Sequence, residues 1–293
     1  MENEIKKTEL LTESAKAEFY EKTEKLRIID DVFFRLIASR KDVCEEILRI
    51  LLDEEKLIVV HVTVQEEIVS LFRKVRLDAL CVLSDGRLCN IEMQKGDGND
   101  DIRRVRFHAS TITTNKTPEG TEFKDVPDVK VLYITEYDAL KNNQLITKVK
   151  RCQKIGDQFV PIDDGEEIFF VNTVINDCTK KSKLLAHFMD RDCFSDPEFP
   201  AVSNAIRYYK ETDEGRTEMK SVSEQWIEEG AELERKNTQR EKERADAEKE
   251  RADAAEELLG AERERADVAE ENLKQAKEEN RKLIEEIEKL KKK

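Results

Sequence analysis

Residues 77 to 95 read LDALCVLSDGRLCNIEMQK, two apolar-rich runs joined at Asp85-Gly86. That turn chemistry between alternating runs specifies a β-hairpin. Side chains alternate along a strand, so a shift of one residue moves all of them to the opposite face. A two-residue loop with Ser84 opposite Arg87 sets Asp78 against Met93 and mixes polar with apolar groups on both faces. A three-residue loop, Ser84-Asp85-Gly86 with Gly86 left-handed, sets Leu77 against Met93, Ala79 against Ile91 and Cys81 against Cys89. One face is then wholly apolar. The other carries Arg76 opposite Gln94, Asp78 opposite Glu92 and Leu80 opposite Asn90. Segregation of this kind sets register, so the three-residue loop is expected.

Carboxylates are poor strand formers, and this register places two of them face to face. Directly opposed residues hold their Cβ atoms about 4.5–5.5 Å apart. At that range the charges repel, and one carboxylate takes up a proton unless positive charge lies between them. Arg76 is one source of such charge. A divalent cation is another, and oxygen-only ligands favour Mg²⁺ or Mn²⁺ over zinc. The same residues also suit a solvated hairpin face with an Arg–Asp–Glu network.

Around the hairpin the patterns alternate between helix and strand. Residues 28 to 52 show Phe33, Ile37, Val43, Ile47 and Leu51 at helical spacing, as one long helix or a pair broken near Ser39–Asp42. LIVVHVTV (57 to 64) is a β-branched strand, DDIRRVRFHASTI (100 to 112) a helix, and VKVLYITEY (129 to 137) an apolar run suited to burial on both faces. QLITKVKRC and EEIFFVNTV read as further strands, KSKLLAHFMDRD and AVSNAIRYYK as helices. The order predicts an α/β domain, a mixed sheet flanked by helices, over residues 28–215 behind a charged extension at 1–27.

Residues 216–293 are different. From Glu228 onward 22 acidic and 17 basic residues fill 66 positions, and no proline follows Gly215. Counting from Ala245 in sevens gives Ala252, Leu259, Ala266, Leu273, Asn280 and Ile287; the positions three further on become apolar toward Leu283 and Leu290. A repeat of 3.5 residues held this long is a coiled-coil seam about 70 Å long, and a single solvated helix laced with ion pairs four apart is the alternative. The seam predicts a homo-oligomer. Six cysteines lack close pairs, the first residues lack an apolar core, and no run approaches a membrane span, so a cytoplasmic protein with free thiols and no membrane partner is expected. A net charge of −14 argues against a surface coated for nucleic acid but leaves room for a local basic groove.

Taken together, DDVFFR, RLDALCVLSDGRLCNIEMQK and RRVRFHAS resemble the PD-(D/E)XK nuclease-fold proteins of the recombination-promoting nuclease and transposase-like group. The matching residues are Asp31 with Phe34 and Arg35, Arg76 with Asp78, Glu92 with Gln94, and Arg104, Arg106, Phe107 and His108, within residues 28 to 140 and more weakly to about 212. The resemblance implies a restriction-endonuclease-like α/β core whose hairpin holds Mg²⁺, or Mn²⁺, through Asp78, Glu92 and the Met93 carbonyl. It implies hydrolysis of DNA phosphodiester bonds, with Gln94 where the wider fold has its eponymous lysine. Arg76, Arg103, Arg104 and Arg106 are the expected DNA contacts. Asp31 is either a further acidic contributor or a helix-terminal charge. His108 stands where many relatives have Tyr. The alternative is a catalytically inactive nuclease-fold scaffold that oligomerises through its coil.

Overall fold

The fold is described by a computed structural model over residues 25–69, 74–96 and 102–222, with 235, 238–239, 251 and 272–282 in the C-terminal part. The chain forms two compact units, residues 1–226 and 227–293. In the second, residues 272–282 are helical and exposed; the rest of the heptad seam, like the segment 97–101 that precedes the arginine helix, lies outside the described residues.

Two short helices open the first unit. In α1 (Asp31–Ala38) Phe33, Phe34, Leu36, Ile37 and Ala38 are buried, and in α2 (Lys41–Leu52) Val43, Cys44, Ile47, Leu48 and Leu51. The expected break thus falls at Ser39–Arg40, and the spacing of three and four gives each helix one apolar stripe. Left-handed Asp53 (φ 57°) ends α2.

A meander follows: β1 (Val59–Val69), β2 (Lys74–Leu83) and β3 (Leu88–Gln94). The arginine helix is α3 (Arg103–Lys116), and β4 (Val129–Thr135) returns parallel to β3. Next come β5 (Ile146–Val149), the exposed hairpin β6 (Cys152–Ile155) and β7 (Gln158–Pro161), and β8 (Glu166–Asn172). Helices α4 (Lys180–Met189) and α5 (Pro200–Glu211) complete the unit. The sheet has six strands in the order β1-β2-β3-β4-β8-β5 and is mixed, with β3, β4 and β8 parallel and the rest antiparallel. Parallel central strands covered on both faces explain the continuous apolar runs of β4 and β8.

Helices cover both faces. One core joins α1, α2, α4 and α5 to Ala79, Cys81, Cys89, Ile91, Met93, Leu132 and Ile134. The other sets Val105, Ala109 and Ile112 of α3 against Leu80, Leu88, Val129, Val131 and Tyr133. The sequence places the strands and helices of this α/β core; the β6–β7 hairpin escapes it because its residues are almost all exposed and carry no alternation.

The hairpin takes the three-residue loop. Ala79 pairs with Ile91, Leu80 with Asn90 and Cys81 with Cys89. Leu83 N–H donates to the Arg87 carbonyl at 2.9 Å, and Gly86 N–H to the Leu83 carbonyl at 3.0 Å. Gly86 sits at φ +88°, which L-residues resist, with no other group crowding its missing Cβ. Gly86→Ala is therefore expected to lower the unfolding free energy by about 1 kcal/mol through backbone strain alone. Urea denaturation that finds no loss would contradict the left-handed loop.

One part of the expected register fails. Leu77 belongs with Leu80 and Val75 in the core under α3, whereas Met93 lies in the opposite core, so the apolar face does not run on to Leu77. Three steps along a strand should reverse the side chain, so the alternation of β2 breaks at Asp78. In β1 the same happens at Gln65, a non-glycine residue at φ 56°: Val64 packs with the first core and Ile68 with the second. Gln65 falls between Val64 and Glu66, which pair with Ala79 and Leu77, and so stands across from Asp78. Both strands turn over at one level with no residue inserted in either, and a polar site occupies it.

Candidate functional site

The β2–β3 ladder stops at Ala79 and Ile91, one residue short of the two carboxylates. Alternation would next give Met93 N–H to the Leu77 carbonyl. Instead the Asp78 Oδ2 accepts it at 2.9 Å, and Glu92 Oε1 lies 3.4 Å from Asp78 N–H. The side chains have entered the gap where the strands part. Asp78 is 6% exposed and Glu92 3%, so two neighbouring acidic residues are almost fully withdrawn from water.

Their surroundings are only partly compensating. The Arg35 Nη2 of α1 lies 3.5 Å from Asp78 Oδ1 and 2.6 Å from Asp31 Oδ2. Asp31 is half-exposed at the start of α1 and is the third member of the cluster. Burial holds the Asp78 carboxyl well above the usual carboxylate range, and the charges of Glu92 and Asp31 add to it; Met93 N–H and Arg35 pull less strongly the other way. Burial also raises Asp31, against the pull of Arg35. Between its ordinary and raised values the folded Asp78 keeps a proton that the unfolded chain has released. Stability therefore falls as pH rises through that window.

Helix α3 closes the other side. Asn90, Glu92 and Gln94 are two apart and share one face of β3, while Arg104 and His108 are four apart and share one face of α3. Arg104 Nη1 reaches Gln94 Oε1 at 3.4 Å, and His108 Nδ1 stands 3.3 Å from Glu92 Oε1. Asn90 Nδ2 donates to the same Glu92 oxygen at 2.7 Å. Gln94 also donates through Nε2 to the Lys95 carbonyl, and Lys95 turns away, as alternation requires, to bind Asp30 at 2.8 Å.

The structure thus brings Asp31, Asp78, Glu92, Gln94, the Met93 backbone and Arg104 to one end of the hairpin. It does not bring Arg76, which pairs with Glu67 of β1 at 2.7 Å; Arg35 supplies the countercharge instead. Arg103 and Arg106 lie on the exposed face of α3. Asn90 and His108 are the partners that the hairpin pattern did not single out. The resemblance singled out His108, in a place where many relatives have Tyr, without giving it a partner.

Among the described residues no three His, Cys, Asp or Glu side chains stand ready to hold a metal ion. The cause is visible: Asp78 Oδ2 is occupied by Met93 N–H and Glu92 Oε1 by Asn90. A Mg²⁺-type ion commonly needs only one or two protein carboxylates, with water and substrate oxygens completing its shell. Asp78 and Glu92, two neighbouring buried carboxylates, are of that number and supply only oxygen. Comparison with protein-family models, curated proteins and solved structures finds no match for this chain. Among the described residues no helix is long and apolar enough to cross a membrane.

Proposed function

We propose that the chain is a metal-dependent DNA endonuclease with a PD-(D/E)XK-like, restriction-endonuclease-type core of the recombination-promoting kind. The observation that carries this reading is the burial of both Asp78 and Glu92 where the central hairpin parts, with the Glu92 carboxylate against the Asp78 backbone N–H. Left to themselves such groups destabilise the fold, and proteins keep arrangements of that kind where chemistry needs them. Asp78 and Glu92, with the Met93 carbonyl and Asp31 at the rim, are the groups that would hold Mg²⁺ or Mn²⁺. A bound divalent ion supplies polarisation of the scissile phosphate and a water of lowered pKa.

The remaining work falls to the chain itself. Gln94 cannot bring positive charge, but its amide can orient a water or a phosphate oxygen by hydrogen bonding. Arg104, in reach of Gln94 Oε1, delivers to that spot the charge a lysine would have carried. Arg103 and Arg106 on the exposed face of α3, and Arg76 on β2, offer phosphate contacts that position a duplex without reading its sequence. The coil is the proposed element of homo-oligomerisation, which would pair two such sites.

The test is nicking of supercoiled plasmid by the purified full chain. Nicking that needs Mg²⁺ and stops with EDTA is expected; a chain inert toward plasmid with both Mg²⁺ and Mn²⁺ would overturn the reading. A second reading, a catalytically inactive scaffold, is favoured by Arg35, whose guanidinium stands near Asp78 where a cation would otherwise be welcome.

A further inference from the structure

Two buried polar atoms beside Glu92 lack a hydrogen-bond partner: Asn90 Oδ1 and His108 Nδ1. Native interiors satisfy nearly all such atoms, so each orphan needs a reason. His108 is 5% exposed and is held by the apolar residues of its own face, with Val105, Ala109 and Ile112 in the core under α3. Its Nδ1 lies 3.3 Å from Glu92 Oε1 yet makes no bond there, while Asn90 Nδ2 already occupies that oxygen at 2.7 Å. With the Asp78 N–H at 3.4 Å, three nitrogen groups therefore converge on a single oxygen of one carboxylate.

We propose that His108 is a positioning residue: with Asn90 it pins Oε1 of Glu92, so that Oε2 alone is presented to a cation. The inference rests on the metal-dependent reading above and adds to it the residue that fixes how Glu92 binds. A carboxylate that can rotate offers a cation two competing geometries; one oxygen tied to the protein leaves one. Catalytic hydrogen bonds are often long before the site is loaded, and a movement of a few tenths of an ångström closes this one. Nδ1 must donate for the bond to form, because a carboxylate oxygen can only accept. The partner that orients a metal-binding side chain commonly matters 10–100-fold to metal affinity.

The atom-specific test uses three full-length variants, His108→Asn, His108→Gln and His108→Phe. The Asn amide nitrogen can stand where Nδ1 stands, the Gln amide reaches instead toward the Nε2 position, and Phe keeps the volume with no donor. Calorimetric titration with Mn²⁺, alone and without DNA, is the readout, with thermal melting in EDTA as the folding control. The expected result is binding weakened about 10–100-fold in the Phe and Gln variants and restored to within about threefold of wild type by Asn. A role in packing alone would not separate Asn from Gln. If all three bind Mn²⁺ like wild type while Asp78→Asn does not, the positioning role is overturned and the metal reading stands. If the wild type itself binds no Mn²⁺, both fall together.

Discussion

Replacing Asp78 with Asn is expected to make the protein more stable and less active at once. The amide can keep the Met93 N–H on its oxygen while its neutral nitrogen takes the place of Oδ1, 3.5 Å from Arg35 Nη2, so that one negative charge leaves the cluster. Neutralising one member of a buried, incompletely paired cluster contributes about 1–3 kcal/mol near neutral pH. For a unit of this size that is about 2–4 °C in melting temperature per kcal/mol. Plasmid nicking should fall at least about a hundredfold, since a ligand matters no less than the groups that orient it. The gain has a sign in pH. Asp78 is held above its usual range, so the wild type loses stability as pH rises through the window between those two values, and Asn removes that loss. The gain should therefore grow from pH 4 to pH 8. Thermal melts at both pH values and a nicking assay check it; an Asn variant that melts lower at pH 8 would mean that the carboxylate is a structural partner of Arg35.

Removing Arg35 should act in the opposite direction. Its guanidinium stands within 3.5 Å of Asp78 and 2.6 Å of Asp31, with only 13% of the side chain exposed. Arg35→Met keeps much of the packing and leaves Asp31 and Asp78 without their cation. Breaking a largely buried pair in this way costs about 3–5 kcal/mol, less here because Asp31 is half-exposed. Urea denaturation at pH 7.5 should show a loss of about 2–4 kcal/mol, shrinking as pH falls and Asp78, held above its usual range, takes up its proton. Millimolar Mn²⁺ should recover part of the loss, because an ion that binds only the folded state stabilises it by mass action. A loss that Mn²⁺ leaves unchanged favours the scaffold reading.

Much of this site is legible in the hairpin alone. The alternation of Ala79, Cys81, Cys89 and Ile91 against Leu80 and Asn90 gives the register and the loop, because one slip would bury polar groups. What alternation cannot give is its own interruption. Gln65 and Asp78 break the pattern in two strands at one level, and nothing in either strand read separately marks that break. The countercharge was expected from the wrong residue: Arg76, two positions from Asp78, turns to Glu67, and Arg35 arrives from 43 positions away through the packing of α1. β1 runs on to Val69 through Gln65, Glu66 and Glu67, beyond the strand expected at 57 to 64. Pairing of Glu67 with Lys74 and Arg76, and of Glu66 with Lys116, holds this stretch in the sheet, and those contacts are not local.

The proposed reason for burying Asp78 and Glu92 together is that they share a divalent cation. Calorimetric titration of Mn²⁺ into the wild type and into Glu92→Gln tests it most directly. Saturable binding by the wild type and at least tenfold weaker binding by the variant are expected, with both chains folded in EDTA. Equal affinity in the two would contradict it, and the paired carboxylates would then be neutralised by Arg35 and a shared proton alone.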